Sequence, residues 1–113
     1  SHYKNNQTLI SPEYYLKKAL TQITNDLSFY NQSLQVLEKF EKIMGNTNRS
    51  KSYYASICWI TSNIFVREYR TLIAEKTQID EKCIYLQTKI LLGLIGCKNV
   101  KEIKGKNINK IGV

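Results

Sequence analysis

Pro12 is the only proline in the chain, no glycine precedes Gly45, and neither residue type occurs between Lys51 and Leu92. Proline and glycine are the strongest local breakers of regular structure. Two long stretches free of both exclude a many-turned β fold and predict an all-α chain. The 113 residues correspond to one small domain at ~100–200 residues per domain. A hydrophobic fraction of 42% with 23% charged residues is enough apolar material for a folded core and argues against wholesale disorder.

Ser11-Pro12-Glu13 has the chemistry of a helix start. The serine caps, the proline stands at the first helical position, and the glutamate faces the positive end of the helix dipole. Gly45 is the expected C-cap. These signals predict a helix over about residues 12–44. Its apolar residues Leu16, Leu20, Ile23, Leu27, Tyr30, Leu34 and Leu37 recur at alternating spacings of four and three. That is the seam of a coiled coil or a narrow helix bundle. Val36, Phe40 and Ile43 widen it towards the C-terminal end.

The stretch from Gly45 to Ser50 reads as a turn between antiparallel neighbours. A second helix is expected over about 51–92, and from Tyr53 to Ala74 it is apolar on most of its circumference. A helix of that kind must be covered on several sides. Phe65, Tyr69, Leu72, Lys76, Ile79, Cys83, Leu86 and Ile90 keep one register, which favours a single long helix, although Lys76 and Asp80 thin its apolar density. Thr77-Gln78-Ile79-Asp80 resembles a capping box and makes a break near Thr77 the alternative. The expected fold is therefore a long antiparallel helical hairpin with coiled-coil or bundle packing, followed by a basic C-terminal tail or short hairpin. In domain terms, residues 1–10 are a lead-in, 11–97 the helical domain and 98–113 the tail. Ser1-His2-Tyr3 has the look of an expression-tag remnant.

The net charge of +8 is unevenly placed. In the first helix Lys17, Lys18, Lys39 and Lys42 are offset by Glu13, Asp26, Glu38 and Glu41, and read as a solvated face. The last sixteen residues carry Lys98, Lys101, Lys104, Lys106 and Lys110 against Glu102 alone. Only three of the 17 basic residues are arginine, and the chain is rich in Lys, Ile, Asn and Tyr. A/T-rich coding accounts for that preference without a selected basic surface.

The three cysteines, Cys58, Cys83 and Cys97, have no paired spacing and read as reduced thiols. With Cys58 and Cys83 on apolar helical positions, an intracellular setting, cytoplasmic or nuclear, is expected. The single histidine, His2, lies in the tag-like start, so no Cys–His dyad and no histidine metal ligand is expected. Gly93-Leu94-Ile95-Gly96 lacks the Lys-Ser/Thr of a phosphate loop. No cofactor and no catalysis are expected, and no run is apolar enough for a transmembrane helix.

Two classes of function remain. The first is a helical interaction module that self-associates as a homodimer or docks into a larger helical assembly. Leu16, Leu20, Ile23, Leu27, Leu34, Trp59, Phe65, Tyr69 and Leu72 are its candidate packing and interface residues. The second is a basic binder of nucleic acid or an anionic surface, with Arg49, Lys51, Arg67, Arg70 and the lysines at 98, 101, 104, 106 and 110 as anion contacts. A weaker alternative is a small inhibitor or immunity-type protein that masks a partner.

Overall fold

Short polar side chains compete with the helical backbone for its hydrogen bonds, and three of them in a row end the first helix. The computed structural model describes residues 11–45 and 49–111; the lead-in over 1–10, residues 46–48 of the turn and the last two residues lie outside it, and with them the tag-like start and His2. Helix α1 runs Pro12–Ile23, α2 Leu27–Met44, α3 Lys51–Ile64, α4 Arg70–Thr77 and α5 Glu81–Leu94, and two 3-10 turns follow at Val100–Glu102 and Ile108–Lys110. Among the described residues there is no strand. The all-α class and the bundle packing are present, but among the described residues the long hairpin is replaced by five shorter helices.

The expected continuous helix over 12–44 is broken at Thr24–Asp26. Thr24 is extended, and Asp26 Oδ1 accepts the backbone N–H groups of Ser28 at 3.0 Å and Phe29 at 3.2 Å, which caps α2. The Tyr30 hydroxyl donates to the Thr24 carbonyl at 3.1 Å and so satisfies a group beside the joint. The break resets the register. Leu27, expected in the seam, is 72% exposed at the first position of α2. Phe29, Ser33, Val36, Leu37 and Phe40 form the buried face instead. The two outer signals hold: Ser11 accepts from the Tyr14 N–H, and Gly45 ends α2 with φ +80°.

The expected helix over 51–92 is broken twice. At the end of α3 the Arg67 N–H bonds the Ser62 carbonyl at 2.8 Å around Val66, whose φ is +53°. The second break matches the alternative near Thr77. Gln78 takes φ +59°, and Asp80, rather than Thr77, caps α5 by accepting the Lys82 N–H at 3.0 Å.

α3 is the central helix and packs against α1, α2, α4, α5 and the first 3-10 turn. It is buried from Tyr53 to Cys58 and from Ile60 to Ile64, as its apolar circumference requires. Its buried polar side chains bond back to their own helix: Ser56 to Ser52, Thr61 to Ile57, Ser62 to Cys58 and Asn63 to Trp59, each onto a backbone carbonyl. The coverage that its apolar circumference calls for comes from its own chain.

The basic segment is not a hairpin. α5 ends on Gly96 at φ +76°, with the Cys97 N–H on the Leu92 carbonyl at 2.9 Å. Asn99 and Asn107 each cap a 3-10 turn. Ile103, Ile108 and Ile111 turn inward and are buried, while the five lysines stay exposed. The segment is a strap whose apolar residues close the core.

Candidate functional site: a cationic cleft and an exposed apolar stripe

α1 places Tyr15, Lys18, Ala19 and Gln22 on one face, at the three- and four-residue spacing of helical neighbours. Across from them lie Arg49, Lys51 and Tyr54 at the start of α3, and Thr77 and Ile79 at the α4–α5 joint. Together they enclose a cleft of about 170 Å³. Three cations and no carboxylate line it. The Tyr15 and Tyr54 rings lie 5.7 Å apart at 31° and form an aromatic wall. Burial, reinforced by the nearby Glu41 charge, raises the Tyr54 phenol, so its hydroxyl stays protonated at neutral pH.

Arg49 is unusual for a surface-loop arginine, because only 7% of its side chain is exposed. Its guanidinium donates to the Gly45 carbonyl, sits 5.3 Å from the Tyr53 ring centroid and lies 3.6 Å from Glu41. Its Nε is buried with no hydrogen-bond partner. Glu41 is shared, since it also accepts the Tyr53 hydroxyl at 2.7 Å. Burial and that bond together push the Tyr53 phenol far above its usual range. Lys18 and Lys51 form no ion pair among the described residues.

Of the residues expected to contact anions, the structure brings only Arg49 and Lys51 together. Arg67 is consumed elsewhere: it pairs with Asp26, donates to Gln32 at 2.8 Å and Ser28 at 3.1 Å, and stacks over Phe29 and Tyr69. Arg70 is exposed on α4, and the lysines at 98, 101, 104, 106 and 110 lie on the strap. Lys18 reads in the sequence as part of a solvated face. Its helical spacing from Tyr15 and Gln22 was readable, but the opposing wall from α3 and the α4–α5 joint was not.

The candidate packing residues are placed as follows. Leu16, Leu20 and Ile23 are buried in this chain's own core. Leu34, Trp59, Phe65, Tyr69 and Leu72 are partly buried and packed against it. A stripe of exposed apolar residues lies instead on α5. Ile84, Thr88, Leu91 and Leu92 are buried against the body of the protein. Leu86 is 55% exposed, Ile90 61% and Leu94 42%, and Cys83 is exposed with them. At 3.6 residues per turn these four lie on one stripe, turned away from the buried face. Cys83 is therefore not a core thiol, whereas Cys58 is.

No family model, curated protein or solved structure matches the chain. No helix among the described residues is long and apolar enough to cross a membrane.

Proposed function

We propose that the protein is a non-catalytic helical interaction module that self-associates through α5. The exposed stripe Cys83–Leu86–Ile90–Leu94 carries this reading, because a second apolar face on an otherwise closed helix has no role in the chain's own core. The centre of the stripe is self-complementary. Laid antiparallel about Thr88, two copies set Leu86 against Ile90 and Ile90 against Leu86. Cys83 then meets Gly93, whose missing side chain leaves room for it. Lys89 meets Gln87 and Lys82 meets Leu94, so no like charges face each other. A standard interface buries ~800 Å² per partner, more than one stripe supplies, so the dimer is weak and reversible.

Sedimentation equilibrium over a concentration series tests this. A monomer–dimer equilibrium that Ile90→Asp abolishes is the expected result. A chain that stays monomeric into the millimolar range overturns the reading.

A second reading rests on the strap. Its five lysines are exposed while its isoleucines point inward, which presents charge from a fixed backbone. This supports contact with an anionic polymer or surface through phosphate groups. Binding to duplex DNA that weakens steeply with salt, and weakens further when the five lysines are changed to glutamine, is expected. Absence of binding at low salt removes this reading.

A further inference from the structure

The cleft between α1, α3 and the α4–α5 joint has properties that neither the stripe nor the strap explains. Core packing does not require three cations around one concavity. Charges of like sign repel when they converge, and the arrangement destabilises the folded chain unless something of opposite charge occupies it. Only Arg49 has a counter-charge, and the Glu41 oxygen that faces it at 3.6 Å takes its hydrogen bond from the Tyr53 hydroxyl, not from Arg49. The guanidinium is held by the Gly45 carbonyl and the Tyr53 ring, so its position is set before any ligand arrives. The first turn of α3 adds to the positive potential, because Ser50 makes no side-chain cap and leaves the helix N-terminus open at Lys51.

Size and lining narrow the ligand. A cavity of about 150 Å³ accommodates a benzene-sized solute. The cleft, at about 170 Å³, holds one ring and one charged group. Tyr15 and Tyr54 supply aromatic surface, and Ala19 and Ile79 supply apolar contact. We propose that this cleft binds a small anion carrying a single planar ring, an aryl carboxylate or an aryl phosphate monoester. The ring lies against Tyr15 and Tyr54, and the acidic group is held by Lys18, Arg49 and Lys51.

The test is a titration of the full chain with benzoate and with phenyl phosphate, followed by heteronuclear NMR. Benzyl alcohol serves as the neutral control and inorganic phosphate as the ringless one. Saturable shifts confined to Tyr15, Lys18, Ala19, Lys51 and Tyr54 are expected for at least one of the two anions. If benzoate is the tighter, the site is a carboxylate site; if phenyl phosphate is, it is a phosphate site. Replacing Lys18 and Lys51 together by glutamine should weaken binding at least about tenfold. Both side chains are exposed and outside the hydrogen-bonded core, so the melting temperature of the free protein should not fall and should rise slightly as the like-charge repulsion is relieved. Arg49→Gln should abolish binding, but it also unties Gly45 and Glu41, so the lysine pair is the deciding variant. The proposal is overturned if neither anion gives a saturable shift, or if benzyl alcohol binds as tightly as the anions. It is equally overturned if inorganic phosphate matches phenyl phosphate, or if the Lys18→Gln/Lys51→Gln variant binds like the parent.

Discussion

The Tyr69 hydroxyl donates to Asp26 Oδ2 at 2.7 Å across 43 residues of sequence. It ties the α1–α2 joint to the α3–α4 joint. Arg67 completes the clamp by pairing with the same carboxylate oxygen and lying over both the Phe29 and Tyr69 rings. The bond from Tyr69 is the largest influence holding the Asp26 carboxyl well below the usual carboxylate range, followed by the Ser28 hydroxyl; the Phe29 N–H and the Arg67 charge add to it.

A lowered folded-state pKa makes stability depend on acid. The Asp26 contribution is complete above the unfolded value of ~3.9 and is lost as pH falls from there towards the lowered folded value. Urea midpoints measured from neutral pH down into strong acid should therefore fall more steeply for the parent than for Asp26→Asn. The difference in slope should be confined to the region below about pH 5, with a constant offset between the two midpoints above it. Parallel curves for the two proteins would show that the carboxylate is not linked to folding.

Arg67→Lys is predicted to be a damaging change despite keeping the charge. The guanidinium uses a planar fork to reach Asp26, Gln32 and Ser28 at once, and stacks on two rings. An ammonium is a point charge and cannot reproduce both functions. A loss of about 1–2 kcal/mol in denaturant unfolding is expected. A loss no larger than that of a neutral surface substitution would mean that the stacking and the fork contribute little.

Thr88 on α5 and Ser33 on α2 each bury a hydroxyl with no hydrogen-bond partner. A buried hydroxyl left unpaired costs about 1–3 kcal/mol. Thr88→Val keeps the β-branched shape and removes the hydroxyl. It should raise stability by about 1 kcal/mol in denaturant unfolding, without shifting the α5 dimer. Destabilisation instead would point to a water or partner at that hydroxyl.

The helix start at Ser11-Pro12, the end at Gly45 and the burial of the apolar helix α3 were legible because each rests on local chemistry or simple periodicity. The break at Thr24–Asp26 had its signal, three cap-forming residues in a row, but the heptad spacing ran through it without a visible slip. Leu27 kept its place in that spacing and lost its place in the core, since the new helix begins there and sets its own phase. The strap shows the opposite case. Ile103, Ile108 and Ile111 sit at irregular intervals that match neither helix nor strand, so their burial depends on where α3 and the end of α5 place them. The cationic cleft is harder still to see, because its walls come from residues 15–22, 49–54 and 77–79 and no single segment carries the pattern.

Thiol reactivity should separate the three cysteines. Cys83 is exposed on the α5 stripe and should label first. Burial raises the Cys97 thiol above its usual value, and that of Cys58 is pushed up to about 12. The reactive species is the thiolate, so both should be slower at mildly alkaline pH, and Cys58 should report only global opening. Labelling of Cys83 should slow as protein concentration rises if α5 pairs with a second copy. A rate that ignores concentration would count against that dimer while leaving the order among the three thiols intact.

Val66 holds φ +53°, a conformation that costs an L-residue roughly 1–2 kcal/mol and is most unfavourable for a β-branched side chain. The turn needs it: the Arg67 N–H reaches the Ser62 carbonyl only because the chain reverses at Val66. Gly105 packs beside it and donates its N–H to the Asn63 carbonyl at 3.1 Å, so the strap lies over the same joint. The Val66 side chain is 57% exposed and contributes little burial to offset the strain. Val66→Gly removes the strain but loosens the unfolded chain, whereas Val66→Asn tolerates the left-handed region with less of that penalty. Asparagine is therefore the better replacement, and should raise the melting temperature by about 4 °C, with glycine between it and the parent. If both variants melt below the parent, the valine methyls contribute more to holding the strap than the backbone conformation costs.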